Sequence, residues 1–213
     1  MKVAFTGSSG SGKTTLVCWV SEEFGLKHIS GSAGDVLKQE DKDYLKSAYG
    51  YPGDLGHPGV IVKSANDVEY GYKNQVLLQK RRAEIISNNF NFVIDRSPLD
   101  NLTYMINQVG FHHSITDPIV KQFAENCLRA WNMLTHVIFV RACQPYSEGI
   151  ENNKSRVSNW WYQKSIDAQF SNWLYEWFIR ENSNRGIKGP EILVISFWDL
   201  EKRKIAIKQF LNS

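Results

Sequence analysis

The chain has 213 residues, of which 42% are hydrophobic and 22% charged, and its formal net charge is +3. That balance supports a packed core and excludes a disordered or low-complexity polypeptide, and the length suits one domain, or one domain with a small lid. The mild positive charge admits a nucleotide substrate without selecting one. No apolar run reaches the ~20 residues of a bilayer-spanning helix, and the opening residues enter a strand directly instead of a charged leader with an apolar core. The three cysteines, Cys18, Cys127 and Cys143, are scattered and show no metal spacing. A reduced, cytoplasmic setting without a membrane partner is therefore expected, and Cys18 and Cys127 are expected in the core.

Residues 3–6 predict a first strand. Residues 7–14, Gly-Ser-Ser-Gly-Ser-Gly-Lys-Thr, then match the pattern Gly-x-x-x-x-Gly-Lys-[Ser/Thr] between a strand and a helix. The chemistry follows from the residue types. Gly7, Gly10 and Gly12 allow backbone angles that a side chain would forbid. The loop through Ser8, Ser9 and Ser11 can then turn its N–H groups around phosphate oxygens. Lys13 supplies a positive charge for the outer phosphates, and the Thr14 hydroxyl is placed for a magnesium ion. Thr15 continues into a helix that Gly25 ends.

Residues 26–30 predict a short second strand, broken by Gly31-Ser32-Ala33-Gly34. Asp35 is either the cap of a helix beginning at Val36 or an acidic group that orients or deprotonates an acceptor. Residues 39–75 form a polar insert with turn signals at Tyr51-Pro52-Gly53-Asp54 and His57-Pro58-Gly59. Such an insert is usually functional or mobile, and in a phosphotransferase it would be an acceptor flap. A helix is predicted from Asp67 to Ile86, with Asn88-Asn89 ending it.

Residues 90–94 predict a strand, followed at once by Asp95-Arg96-Ser97-Pro98. Ligands of open α/β sheets bind at the carboxyl ends of strands, so Asp95 and Arg96 are expected on the edge that carries Lys13. A carboxylate there can serve magnesium or take a proton from an attacking hydroxyl, and an arginine can hold an acceptor oxygen. The alternative for both is a surface ion pair or a helix cap. Helices are predicted over 99–109 and 119–133, with His112-His113 in the turn between them and a strand over 136–140.

A polar loop at 148–158 carries Lys154 and Arg156, which suit a lid that neutralises charge and excludes water. Arg141, at its strand end, is a second candidate for that role. A long helix over 160–181 holds Trp160, Trp161, Trp173 and Trp177 of the seven tryptophans. These either pack a helix pair or give a base a platform. A last strand over 192–195 and a closing helix over 200–211 complete the chain. Strands that are continuous apolar runs and alternate with helices predict a parallel sheet covered on both faces.

With these residues in view, the chain resembles the small P-loop kinases of nucleosides and nucleotides. The loop Gly-Ser-Ser-Gly-Ser-Gly-Lys-Thr-Thr-Leu is shared with them. His28 to Leu37 resembles the monophosphate-binding segment of adenylate kinases, with extra residues before the Gly-Asp. Val93-Ile94-Asp95-Arg96-Ser97-Pro98-Leu99-Asp100 resembles the Asp-Arg strand end of thymidylate kinases and of nicotinamide riboside kinase-like AAA-type chains. In the latter an Arg-bearing loop precedes a helix with Ile-Asp, to which Arg156 with Ile166-Asp167 is similar. Related kinases also occur in bacteriophages, where the setting would be the host cytoplasm and the acceptors deoxynucleotides or modified bases within DNA. The adenylate kinase lid sequence is absent.

The resemblance implies a single P-loop NTPase domain over residues 1–213. It would be a three-layer α/β sandwich on a five-stranded parallel sheet, with an acceptor insert about 39–75 and a helical lid about 144–165. It implies ATP and magnesium as cofactors, with Lys13 and Thr14 on phosphate and metal, Asp95 on the metal or acceptor hydroxyl, Arg96 on the acceptor and Arg156 closing from the lid. Three functions fit. The first is a kinase of a nucleoside, nucleoside monophosphate or related small acceptor. The second is a kinase of a hydroxyl on DNA or RNA, which Lys80-Arg81-Arg82 and Trp160-Trp161 would serve. The third is a nucleotide-gated ATPase or binding protein. The acceptor and the oligomeric state, homodimer included, stay open.

Overall fold

The computed structural model describes residues 1–49, 65–109, 116–143 and 160–213. Five parallel strands form one sheet: β1 (Lys2–Thr6), β2 (Lys27–Ile29), β3 (Phe92–Asp95), β4 (His136–Val140) and β5 (Glu191–Ile195), in the order β2-β3-β1-β4-β5. The central strands β1, β3 and β4 are almost wholly buried, as the continuous apolar runs predict for a sheet covered on both sides.

Period-two alternation assigns each strand residue to one of two helical layers. Ala4, Phe92, Ile94, Val137 and Phe139 face a core with α4 (Ala65–Asn88), α5 (Pro98–Val109), α6 (Asp117–Trp131) and α7 (Trp160–Trp173). Val3, Phe5, Val93, Ile138 and Val140 face Leu16, Val17 and Val20 of α1 (Lys13–Phe24) and Ile207 and Leu211 of α9 (Leu200–Leu211). Each fully buried aliphatic or aromatic side chain stabilises by about 1.5–3 kcal/mol. These two layers therefore outweigh local propensity.

Helix ends follow their chemistry. Gly25 caps α1, its N–H donating to the Ser21 carbonyl, and the Asp199 carboxylate accepts from the Lys202 N–H at 2.8 Å to start α9.

Several expectations change. Residues 39–49 of the insert are helical (α3, Gln39–Tyr49), and helix resumes at residue 65, because Leu45, Tyr70 and Leu78 close a small apolar cluster over α2 (Ala33–Val36). Residues 50–64, with both turn signals, lie outside the described residues. So do His112, His113, Lys154 and Arg156, and the proposed lid through residue 159. The helix expected over 160–181 runs on to Asn184 as α7, a π-helical stretch Leu174–Ile179 and α8 (Arg180–Asn184). Cys127 is buried, whereas Cys18 lies on the outer face of α1 and is exposed. No helix among the described residues is long and apolar enough to cross a membrane.

Candidate functional site

The register of β1 on β3 sets the site. Phe5 pairs with Asp95, and the Arg96 N–H donates to the Phe5 carbonyl at 3.1 Å. The carboxyl ends of the two strands therefore meet where the chain leaves β1 for the glycine loop. Gly7 adopts φ +133° directly against the Val140 carbonyl, a place and conformation that exclude a side chain. Gly12, at φ 90°, is the N-cap of α1, and no side chain caps that end. The first turn of α1 holds no acidic residue. Its N–H groups and the positive end of its dipole thus face the loop without an internal anion, which is the arrangement that binds phosphate.

Lys13 is buried and folds back over the loop, its Nζ donating to the carbonyls of Gly7 at 2.8 Å and Ser8 at 2.6 Å. The Thr14 hydroxyl donates to Asp95 Oδ2 at 2.6 Å. The other carboxylate oxygen, Oδ1, is buried and has no hydrogen-bond partner among the described residues. A hydroxyl and a carboxylate beside a lysine are a hard-oxygen donor set suited to magnesium. A buried carboxylate oxygen lacking a donor suits a cation or an acceptor proton. The residues present therefore fit a magnesium-bound triphosphate. Ser8 and Ser9 complete the loop, the Ser8 hydroxyl being buried. Thr15 is exposed on the first turn of α1.

Arg96 sits one residue past Asp95 with φ 124°, an uncommon conformation for a residue with a side chain. Its Nη1 donates to Asp100 Oδ1 at 3.0 Å and to the Tyr104 hydroxyl at 3.3 Å. Burial opposes its charge, but Tyr104, Asp100 and Asp95 together hold its pKa above the ordinary arginine value. Asp100 is itself fixed by the Thr6 hydroxyl at 2.7 Å and the Ser97 N–H at 2.8 Å.

Asp35 does not cap α2. Ser32 is the N-cap, and Asp35 lies in the first turn, accepting from the hydroxyls of Ser30 at 2.5 Å and Ser32 at 2.7 Å. Those bonds, led by Ser30, hold its carboxyl below the usual range. Arg141, the second lid candidate, is bound at 2.8 Å from Nε to Asp167 Oδ2, and the other Asp167 oxygen accepts from the Ala142 N–H at 2.9 Å. Asp167 thereby secures the end of β4.

Sequence reasoning missed a buried polar cluster beside Asp95. Arg82 of α4 is 4% exposed; its Nη2 donates to the Gly31 carbonyl at 2.8 Å and its Nη1 to Asn101 Oδ1. The Asn101 amide donates in turn to Gln75 at 3.4 Å. Burial lowers the Arg82 pKa to about 10. A Cβ at position 31 would overlap the Asp95 carbonyl oxygen, so only glycine lets this loop lie on the end of β3. The signal in the sequence was Gly31 before Asp35, and its partner at position 82 was read as part of an exposed basic run. In that run Arg81 is engaged by Asp41 at 2.8 Å, Glu40 at 2.6 Å and Glu84 at 3.1 Å, and Lys80 is the exposed member. Of the tryptophans, Trp177 packs with its Nε1 on the Ala124 carbonyl at 3.3 Å, while Trp161 is 79% exposed.

No protein-family model matches the chain, and no curated protein matches it in sequence. Solved structures do match. A deoxyadenosine kinase from M. mycoides with bound dATP aligns over 100% of both chains at 18% identity with a TM-score of 0.57. A thymidylate kinase from Candida albicans aligns over 99% of this chain and 90% of its own at 13% identity and a TM-score of 0.56. NadR in complex with NR aligns over 99% of this chain and 51% of its own at 14% identity and a TM-score of 0.52. The chain is thus structurally similar along its whole length to deoxynucleoside, thymidylate and NadR-type P-loop kinases, and its five-stranded parallel α/β fold is P-loop kinase-like.

Proposed function

We propose that this protein is an ATP-dependent phosphotransferase that moves the γ-phosphate to a nucleoside, a deoxynucleoside monophosphate or a related small acceptor. The observation that carries the reading is the meeting of Thr14 with Asp95 beside Lys13, with one oxygen of Asp95 left for an incoming group. Magnesium-bound ATP, held by residues 7–15 with Thr14 and Asp95 toward the metal, would supply the transferring phosphoryl group and the charge that draws it forward.

The protein's own part is positioning and charge. The loop N–H groups and Lys13 fix the outer phosphates. Asp95 Oδ1 accepts the proton of the acceptor hydroxyl, while Oδ2 stays on Thr14. Arg96, its direction set by Asp100 and Tyr104, holds an acceptor oxygen. Asp35, in the first turn of α2 and held by Ser30 and Ser32, would line the acceptor side. The insert about 39–75 would form the acceptor flap, and a lid about 144–165 with Arg156 would close over the phosphates and exclude water.

Of the run that would serve the polynucleotide reading, Arg82 is buried and Arg81 is engaged by three carboxylates, which leaves Lys80 and the exposed Trp161 to support it. The test is magnesium-dependent ATP consumption with nucleosides, deoxynucleoside monophosphates, nicotinamide riboside and DNA, with the product identified. Stimulation by one small acceptor with a phosphorylated product is expected. Label on polynucleotide alone would move the protein to the nucleic-acid kinases, and no stimulation by any acceptor would favour a nucleotide-gated ATPase.

A further inference from the structure

Behind the glycine loop, on the side of α9, lies a second buried arginine. Arg203 belongs to α9, near the end of the chain, and is 2% exposed. Its Nη1 donates to the Ser11 carbonyl at 2.7 Å and its Nε to the Phe197 carbonyl at 2.6 Å. The Trp198 ring covers the guanidinium, 5.1 Å from centroid to Cζ. Among the described residues no carboxylate pairs with it, and its buried Nη2 has no hydrogen-bond partner. Nη1 would stand 3.1 Å from a Cβ at position 12, so Gly12 is also the residue that lets the guanidinium approach. A buried cation held by two neutral carbonyls, with the Cys143 thiol as its one titratable neighbour among the described residues, is costly. In a chain that could place leucine there, its position directly under the loop calls for a reason beyond packing.

The Ser11 carbonyl and the Gly12 N–H belong to one peptide group. A cation on the carbonyl draws electron density from the nitrogen and makes the N–H a stronger donor, as in any hydrogen-bonded chain. Gly12 opens α1, so that N–H is among those turned to the loop.

We propose that Arg203 is a positioning residue for phosphate: from α9 it fixes and polarises the Ser11–Gly12 peptide, so that the loop binds a polyphosphate more tightly. The proposal rests on the loop being a phosphate site. The charge also adds a long-range attraction for anions that the low-dielectric surroundings do not screen.

The test compares Arg203→Met, Arg203→Lys and Trp198→Ala with the parent protein by calorimetric binding of inorganic tripolyphosphate and of magnesium-ATP, with circular dichroism to confirm folding. Arg203→Met is expected to weaken both ligands by the same factor, about tenfold, the scale of one charge-assisted hydrogen bond. Trp198→Ala uncovers the guanidinium but keeps both of its carbonyl contacts, and is expected to weaken tripolyphosphate less than Arg203→Met does. In the ligand-free protein, the Gly12 amide nitrogen resonance should move upfield in Arg203→Met. Should Arg203→Met fail to fold, Arg203→Lys carries the test, since an ammonium cannot hold both carbonyls in the guanidinium's geometry. It should lose about threefold on both ligands. Unchanged affinity for tripolyphosphate in a folded Arg203 variant overturns the proposal, whether or not ATP weakens. A parent protein that binds neither ligand instead refutes the phosphate reading of the loop itself.

Discussion

The two halves of the site are built by different means. The glycine loop is mainly a backbone structure: Gly7 and Gly12 set its shape, the first N–H groups of α1 face it, and Lys13 folds back over it. The Asp95 side is assembled from separate elements: the Gly31 carbonyl from the β2–α2 loop, Arg82 from α4, Asp95 at the end of β3, Arg96 just after it and Asn101 from α5. A backbone site must be contiguous, because neighbouring peptides can curl around one anion. A side-chain site can gather residues from any element that reaches the sheet edge. The first tolerates little change at any position, and the second can be retuned one residue at a time.

The largest effect expected breaks the backbone half. Lys13→Ala removes the charge held over the loop and should lower transfer by about 10³-fold with the fold intact. Retained activity, measured as phosphorylated product formed per enzyme per unit time, would undo the assignment of the loop. Next comes the contact that joins the halves. Gly31→Ala places a methyl group on the Asp95 carbonyl. It should cost about 3 kcal/mol in chemical unfolding, and a variant as stable as the parent would show that this loop yields freely.

Asp95→Asn sharpens the comparison, since it keeps an acceptor for Thr14 and removes the charge. It should reduce kcat by about 10²-fold and change ATP affinity little. A change in affinity alone would make Asp95 a binding residue. The smallest effect concerns the ion pair that ties α3 to α4. The Arg81 guanidinium, with the Lys38 N–H and charge, holds the Asp41 carboxyl below its ordinary value of 3.8. A group depressed in the folded state contributes its full stability above the unfolded value and loses it as pH falls toward the folded one. Thermal stability should therefore decline below about pH 4, and Asp41→Asn, about 1–2 kcal/mol less stable at neutral pH, should flatten that decline. An unchanged slope in the variant would assign the acid sensitivity to other carboxylates.

Legibility followed the same division. The loop, the strand that delivers it and the helix that leaves it were readable because glycine conformation and helix capping are local. The closing helix at Leu200–Leu211 and the strand end at Asp95 were readable too, since turn residues and continuous apolar runs mark them. Residues 39–49 were not, since their helix has a mostly charged surface and forms over a small apolar patch supplied by α2 and α4. Arg82 was misread because Lys80-Arg81-Arg82 looks uniform as text. Helical geometry turns consecutive residues about 100° apart, which sends Arg82 inward, Arg81 to its carboxylates and Lys80 to solvent. Cys18 was misplaced for the same reason, its apolar neighbours facing the sheet while it faces out.

The sequence by itself determined the parallel α/β architecture and the position of the glycine loop between β1 and α1. Both depend on conformational preferences and periodicities that act over a few residues. Only the tertiary structure decided that Thr14 reaches Asp95, that Gly31, held by Arg82, lies against the Asp95 backbone carbonyl, and that Arg203, 192 residues from Ser11, lies beneath the loop. Those contacts arise where the parallel register brings distant strand ends to one edge, and no local pattern encodes which distant residue arrives there.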